Sequence, residues 1–148
     1  RSTPKPSSAA SDVYKRQGWK GALNGIIENT LSSMKLLGAN INNINCSIGP
    51  CIGQSSYEVK SDFFKIFVDR STRNRQFFIE INKDKYKFSL KKFITFKLGE
   101  QGVGNIDTVN IDTYNDQHLC FSYRRSLHKK EDDYGRMIST ITIKGDHS

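Results

Sequence analysis

The sequence predicts an α+β domain, a mixed β-sheet layered with helices, on three observations. Apolar residues recur at three- and four-residue steps between Ala22 and Leu37. Two short apolar-polar alternations flank the polar loop Asn82-Lys83-Asp84-Lys85. Helical and strand-like stretches then alternate irregularly, without an internal repeat, which argues against a pure bundle or sandwich.

Taken in order, residues 1–17 (RSTPKPSSAASDVYKRQ) are polar, hold two of the three prolines and show neither period. They read as a disordered tail, and the abrupt junction with Gly18-Trp19-Lys20-Gly21 reads as a cloning or assembly scar, leaving 18–148 as the domain. Ala22, Leu23, Ile26, Ile27, Leu31, Met34 and Leu37 form one apolar face of a helix ended by Gly38. Ile41 to Ile48 reads as a strand entering the turn Gly49-Pro50-Cys51-Ile52-Gly53. Ser61 is placed to cap a second helix that buries Phe63, Phe64, Ile66 and Phe67. Phe77–Ile81 and Tyr86–Phe88 form a hairpin, and Ser89 caps a third helix through Leu90, Phe93, Ile94 and Leu98, closing near Gly99 or Gly102. Ile106–Ile111 and Met137–Ile143 are further strand candidates.

Composition narrows the function classes. With 148 residues and 36% of them hydrophobic, the chain fits one compact domain. It has no apolar run long enough to cross a bilayer and no secretory leader pattern, so a soluble, cytoplasmic protein without a membrane partner is expected. Cys46, Cys51 and Cys120 are too few for a disulfide framework, and no CxxC or HxxxH spacing offers a zinc site. The net charge of +8 invites a nucleic-acid reading. Residues 1–17 carry four of the basic groups and one acid; without them 19 basic residues face 14 acidic ones, which makes nucleic acid an unfavoured partner.

Four stretches could carry chemistry. Gly18-Trp19-Lys20-Gly21 stands before a helix, where free N–H groups favour an anion and Lys20 adds charge; alternatively, the glycines permit a sharp entry and Trp19 plugs the core. Cys51, bracketed by Gly49 and Gly53, is a conceivable nucleophile, but His118, His128 and His147 stand in no recognisable relation to it, so a structural thiol is the better reading. Phe121-Ser122-Tyr123-Arg124-Arg125 and the later Gly135-Arg136 combine aromatic and guanidinium groups suited to an anionic or planar ligand; a strand edge with solvated arginines is the competing reading. His128-Lys129-Lys130-Glu131-Asp132-Asp133 reads as a solvated loop.

The pieces GWKG, IGPCIGQSSYEV, FSYRR and GRM, in this order from Gly18 to about Ile143, resemble the YfiH family, also called the multicopper polyphenol oxidase or laccase-domain family. The resemblance implies a YfiH-like α+β fold and zinc-dependent phosphorolysis of adenosine, inosine, guanosine and methylthioadenosine, with adenosine deamination. For some bacterial members it implies a peptidoglycan-editing role. Substrate-binding candidates are then Gly18, Trp19, Lys20, Gly21, Gly49, Cys51, Gly53, Tyr123, Arg124, Arg125 and Arg136.

The family's metal ligands are a histidine in a VHG-type motif, a cysteine in an ADC-type motif and the histidine of HAGW(R/K)G. The first two motifs do not occur here, and Arg16 stands at the third position with Gln17 where alanine is usual. Nothing in the sequence supports copper either. Ser126 replaces the aspartate usual after FSYRR, and the 129–134 loop is longer than typical. The expectation is therefore the C-terminal half of a zinc-dependent purine nucleoside phosphorylase, acting on nucleosides and phosphate when intact but inactive, and without a bound cofactor, as this chain. A non-catalytic nucleotide- or RNA-binding module is the rival, predicting salt-sensitive, zinc-independent binding. A cysteine hydrolase built on Cys51 would instead be stopped by a thiol alkylator and not by a chelator.

Overall fold

The computed structural model describes residues 18–141. Residues 18–23 are helical, Asn24-Gly25 turn the chain, and helix α1 (Ile26–Leu36) follows. The single long helix expected from the apolar stripe is thus broken at Gly25, whose φ of +92° belongs to the left-handed region open to glycine. The break lets one stripe serve two cores. Ala22 and Leu23 join one cluster, and Ile27 and Leu31 join another. Not all of the expected apolar face is buried: Ile26 at the start of α1 and Met34 near its end are open to solvent, and Leu36 and Leu37 are each 89% exposed because α1 runs past the edge of its core. Gly38, at φ +94°, ends α1 as expected, with Ala39 N–H donating to Met34 O at 3.0 Å and Gly38 N–H to Lys35 O at 2.9 Å.

Ile41–Asn43 forms a 3₁₀ turn capped by the Asn40 side chain, so the expected strand over 41–48 shortens to β1 (Asn45–Ile48). Strand β2 (Glu58–Lys60) leads into α2 (Ser61–Arg70). Ser61 is the first residue of α2 and not its cap; Lys60 occupies that position and Ser61 N–H donates to Asp84 O. Phe67 is fully buried and Phe63 packs on the core, whereas Ile66 turns outward. A 3₁₀ stretch, Thr72–Phe77, takes Phe77 out of the hairpin, which consists of β3 (Phe78–Asn82) and β4 (Lys85–Phe88). Helix α3 (Leu90–Glu100) is capped by Ser89, whose Oγ accepts from Lys92 N–H.

Strand β5 (Asn105–Thr108) is shorter than the Ile106–Ile111 candidate. Phe121–Arg125 does not form a strand edge: Ser122 caps helix α4 (Tyr123–Lys129) by accepting from Arg125 N–H. His128 and Lys129 therefore end a helix and are not loop residues. Over 137–141 no strand forms, and residues 142–143 of that candidate lie outside the described residues, as do residues 1–17. Alternating side chains make a strand only where a partner supplies the ladder.

Both pairing types occur, divided between two sheets among the described residues. β1 and β5 pair in parallel, Asn45 opposite Asn105 and Ile48 opposite Thr108, while β2-β4-β3 is antiparallel. The antiparallel sheet packs with α2, α3 and residues 18–23 around Tyr57, Phe67, Phe77, Phe88 and Phe93. Phe67 is the hub of this aromatic core, its ring centroid 4.7 Å from Phe88, 5.0 Å from Phe63 and 5.1 Å from Phe93. The second core, Leu31, Ile44, Ile48, Leu98 and Val103, joins α1 and α3 to the parallel pair.

Candidate functional site

The Gly49–Gly53 turn leaves the end of β1 and is pinned to the loop after β5. Cys51 pairs with Asp112 in an isolated parallel bridge, and Thr113 N–H donates to Cys51 O at 3.1 Å. Asp112 Oδ1 accepts from Gly53 N–H and Tyr114 N–H, both at 2.9 Å, and its Oδ2 accepts from Ser56 Oγ at 2.5 Å and Asn115 Nδ2 at 3.0 Å. Burial pushes this carboxyl upward, but the bonds from Gly53, Ser56, Tyr114 and Asn115 outweigh it and hold the group below its ordinary value. The glycine-bracketed turn thus has an anion in place, the chain's own. A Cβ at position 53 would lie 2.6 Å from Asp112 Oδ2, so only glycine admits this approach.

Cys51 is half-buried. Burial pushes its thiol up, Lys91 opposes that and Asp112 adds to it, leaving a protonated group at neutral pH. Among the described residues no histidine serves it: His128 Nδ1 bonds Tyr114 Oη at 2.8 Å, and His118 is exposed. The structure therefore places Cys51 as a packing thiol.

The two adjacent arginines of α4 diverge. Arg124 Nη1 donates to Glu58 O at 2.9 Å, and its guanidinium lies 5.3 Å from the centre of the Tyr57 ring. Arg125 spends its fork on three carbonyls: Nη1 reaches Thr113 at 2.8 Å and Tyr114 at 3.0 Å, and Nη2 reaches Cys120 at 2.5 Å. This is a loop fastener, with its donors turned into the fold. Arg136 is exposed, pairs with Asp133 at 2.9 Å and lies over the Tyr134 ring; Tyr123 packs its ring 5.4 Å from that of Tyr134.

Among residues 18–21, Trp19 takes the packing role, its ring 4.6 Å from Phe63 and 5.8 Å from Phe67. Lys20 is exposed, with Nζ 5.5 Å from the Trp19 ring. Cβ atoms at Gly18 and Gly21 would meet only Leu90 and Ile26 at ordinary contact distance, so neither glycine is demanded by crowding.

A hollow of about 390 Å³ opens between β2 and α4, lined by Glu58, Val59, Lys60, Phe63, Lys85 and Arg124. Phe63 and Val59 supply its apolar lining, and the Phe63 ring lies 4.6 Å from that of Trp19. Lys85 Nζ lies 2.8 Å from Glu58 Oε1, which holds the carboxyl below and the ammonium above their ordinary values through that hydrogen bond and its charge. Three cations and one carboxylate beside an aromatic ring suit a planar group carrying negative charge. Of the candidate residues, the hollow gathers Arg124 directly and Trp19 through Phe63; Lys20, Arg125 and Arg136 do not line it. Sequence reasoning missed Glu58, Lys60 and Lys85, whose alternation with apolar residues on two short strands reads as ordinary surface. It also missed Asp112, for which the dense run Asp112-Thr113-Tyr114-Asn115-Asp116 is a turn signal.

The zinc that the family resemblance implies finds no donor set here. Among the described residues no three His, Cys, Asp or Glu side chains come together as metal ligands.

The sequence profile of the family described as multi-copper polyphenol oxidoreductase laccase matches residues 16–144. The purine nucleoside phosphorylase of Rickettsia conorii is 40% identical over 128 residues, which cover 86% of this chain and 52% of that protein. The purine nucleoside phosphorylase YfiH of Escherichia coli is 31% identical over 126 residues, covering 85% of this chain and 48% of that protein. The crystal structure of the hypothetical protein YfiH of Bacillus licheniformis superposes with a TM-score of 0.67 at 27% identity, over 75% of this chain and 43% of that one. The chain thus spans about half the length of the curated relatives it matches. The motifs, the α+β arrangement and these matches together show that the chain belongs to the YfiH family, that of the multi-copper polyphenol oxidoreductase laccase proteins.

Proposed function

We propose that this chain is one part of a purine nucleoside phosphorylase, contributing a nucleoside-binding face and inactive by itself. The observation that carries the reading is the 40% identity to the R. conorii purine nucleoside phosphorylase, maintained over 128 residues. The substrates are adenosine, inosine, guanosine and methylthioadenosine with inorganic phosphate, and adenosine is also deaminated. In phosphorolysis a phosphate oxygen forms a bond to the anomeric carbon as the glycosidic C–N bond breaks. The electron pair leaves on the purine nitrogen, which takes up a proton. Phe63 offers a flat apolar wall for the purine, and Lys60, Lys85 and Arg124 set a positive field for phosphate. Zinc has no donor set in residues 18–141, so in this reading its ligands come from elsewhere in the assembled protein.

The parallel pair β1–β5 supports the same reading. A two-stranded parallel sheet is marginal alone, and both its outer edges lack a ladder partner among the described residues. The test is phosphate-dependent release of hypoxanthine from inosine by the native gene product and by this 148-residue chain. Turnover by the former and none by the latter is expected. No phosphate-dependent release from the gene product would sink the proposal.

A further inference from the structure

We propose that Asp112 is the positioning residue of this site, the pin that fixes two of the chain segments that line the hollow. This deepens the phosphorylase reading and rests on it for the identity of the ligand. One segment runs from Gly53 to Ser56 and continues as Tyr57 and β2, bringing Glu58 and Lys60 to the hollow. The other runs from Asp112 to Asp116 and leads to α4, bringing Arg124.

Asp112 joins them with both carboxylate oxygens. Gly53 N–H and Ser56 Oγ donate from the first segment, and Tyr114 N–H and Asn115 Nδ2 donate from the second. Asn115 Nδ2 also donates to Ser56 Oγ at 3.1 Å, closing a ring of polar contacts. The far end of the second segment is fastened in turn, since Arg125 on α4 holds the carbonyls of Thr113 and Tyr114. Asp116 holds the pin's own backbone, its Oδ2 accepting from Asp112 N–H at 2.9 Å.

The approach is too close for any side chain at position 53, which makes the pairing of Gly53 with an acid specific rather than incidental. An ionised carboxylate suits four donors, whereas an amide of the same shape turns two of them against an N–H₂ group. The charged or titratable groups around this joint are Cys51 on the turn, Lys91 on α3, Asp116 and Tyr114 on the same loop and Arg125 on α4.

Cys51 reports on the pin without reference to catalysis. Its alkylation rate by iodoacetamide, followed against pH by peptide mapping so that Cys46 and Cys120 are resolved, depends on the neighbouring charge as well as on access. In Asp112→Asn the profile should move to lower pH, raising the rate at slightly alkaline pH severalfold, because the neighbouring charge that disfavours the thiolate is gone. Asp112→Glu should keep the midpoint of the unaltered chain. Ser56→Ala, which keeps the charge and removes one bond, should raise the rate without moving the midpoint, and it decides the matter if Asp112→Asn does not fold. An unmoved profile in Asp112→Asn, or unchanged labelling in Ser56→Ala where Asp112→Asn is unfolded, overturns the proposal.

In the native gene product Asp112→Asn should raise KM for inosine more than it lowers kcat. Turnover with an unaltered KM would remove the positioning role and leave the phosphorylase reading standing. No turnover in any form, with the thiol profile shifted as expected, would remove the phosphorylase reading and leave Asp112 as the pin.

Discussion

A Cβ on Gly104 would lie 2.6 Å from the carbonyl oxygen of Asn42, so the chain entering β5 passes directly against the 3₁₀ turn that precedes β1. The neighbour is backbone and cannot swing aside. Gly135 makes a superficially similar contact, its Cβ position 2.3 Å from Phe121 Cζ, but that ring is 52% exposed and free to rotate outward. Gly104→Ala should therefore cost about 1–3 kcal/mol, and Gly135→Ala less than about 1 kcal/mol. Urea unfolding of the two variants measures the difference; equal costs would show that the ring at 121 is as fixed as the backbone at 42.

Phe67 sets the stability of the aromatic core. It is wholly buried and meets Trp19, Phe63, Phe78, Phe88 and Phe93. Phe67→Ala should lose about 3–5 kcal/mol, a large share of the stability of a domain this size, whereas Phe67→Leu should lose less because it leaves a smaller void. Phe64, half-buried and stacked on Tyr86 at 4.3 Å, should cost less on truncation than Phe67. Denaturant midpoints at constant slope give the ranking, and a Phe64→Ala cost equal to that of Phe67→Ala would contradict it.

Tyr57 makes stability fall at alkaline pH. Burial raises its hydroxyl to about 12, with the Arg124 charge pulling in the other direction. The folded protein therefore keeps the proton that the unfolded chain releases near pH 10. The stabilisation is fully present below that pH and is lost as pH rises through the folded value, by on the order of 2 kcal/mol. Tyr57→Phe removes the titration, so its stability should stay flatter between about pH 10 and 12 in urea titrations followed by tyrosinate absorbance. Parallel curves for the two proteins would refute the assignment.

Local signals in the sequence carried the fold where a residue acts on its immediate neighbours. Ser89 before an apolar helix and Gly38 after one do so, and both perform the capping the sequence announces. Long-range packing decided the rest. The apolar stripe from Ala22 to Leu37 is continuous, yet the chain breaks it to serve two cores; Asn24-Gly25 is a local turn signal, but the apolar periodicity running through it reads as one helix. FSYRR illustrates the same limit. Its aromatic and hydroxyl residues fit a strand, but Ser122 has a helix to cap, and the two arginines then point to different partners. The family was legible because four motifs hold their order. The hollow was not, because Glu58, Lys60 and Lys85 acquire meaning only when β2 and β4 pair beside α4.

Arg125 separates a fastening role from a ligand-binding one. Were its guanidinium a phosphate clamp, Arg125→Ala would raise the phosphate requirement of phosphorolysis and leave adenosine deamination largely intact. The structure instead ties both terminal nitrogens to the carbonyls of Thr113, Tyr114 and Cys120. Removing them strands three acceptors in a half-buried loop, at a cost on the order of 2–4 kcal/mol. Arg125→Lys should recover only part of this, since one ammonium cannot span carbonyls on both sides of the loop as the planar fork does. Hydrogen exchange over 112–121 should accelerate in both variants, more in alanine than in lysine, and under the proposed phosphorylase reading phosphorolysis and deamination by the native gene product should fall together. Unchanged exchange, combined with a selective rise in the phosphate requirement, would return Arg125 to the ligand.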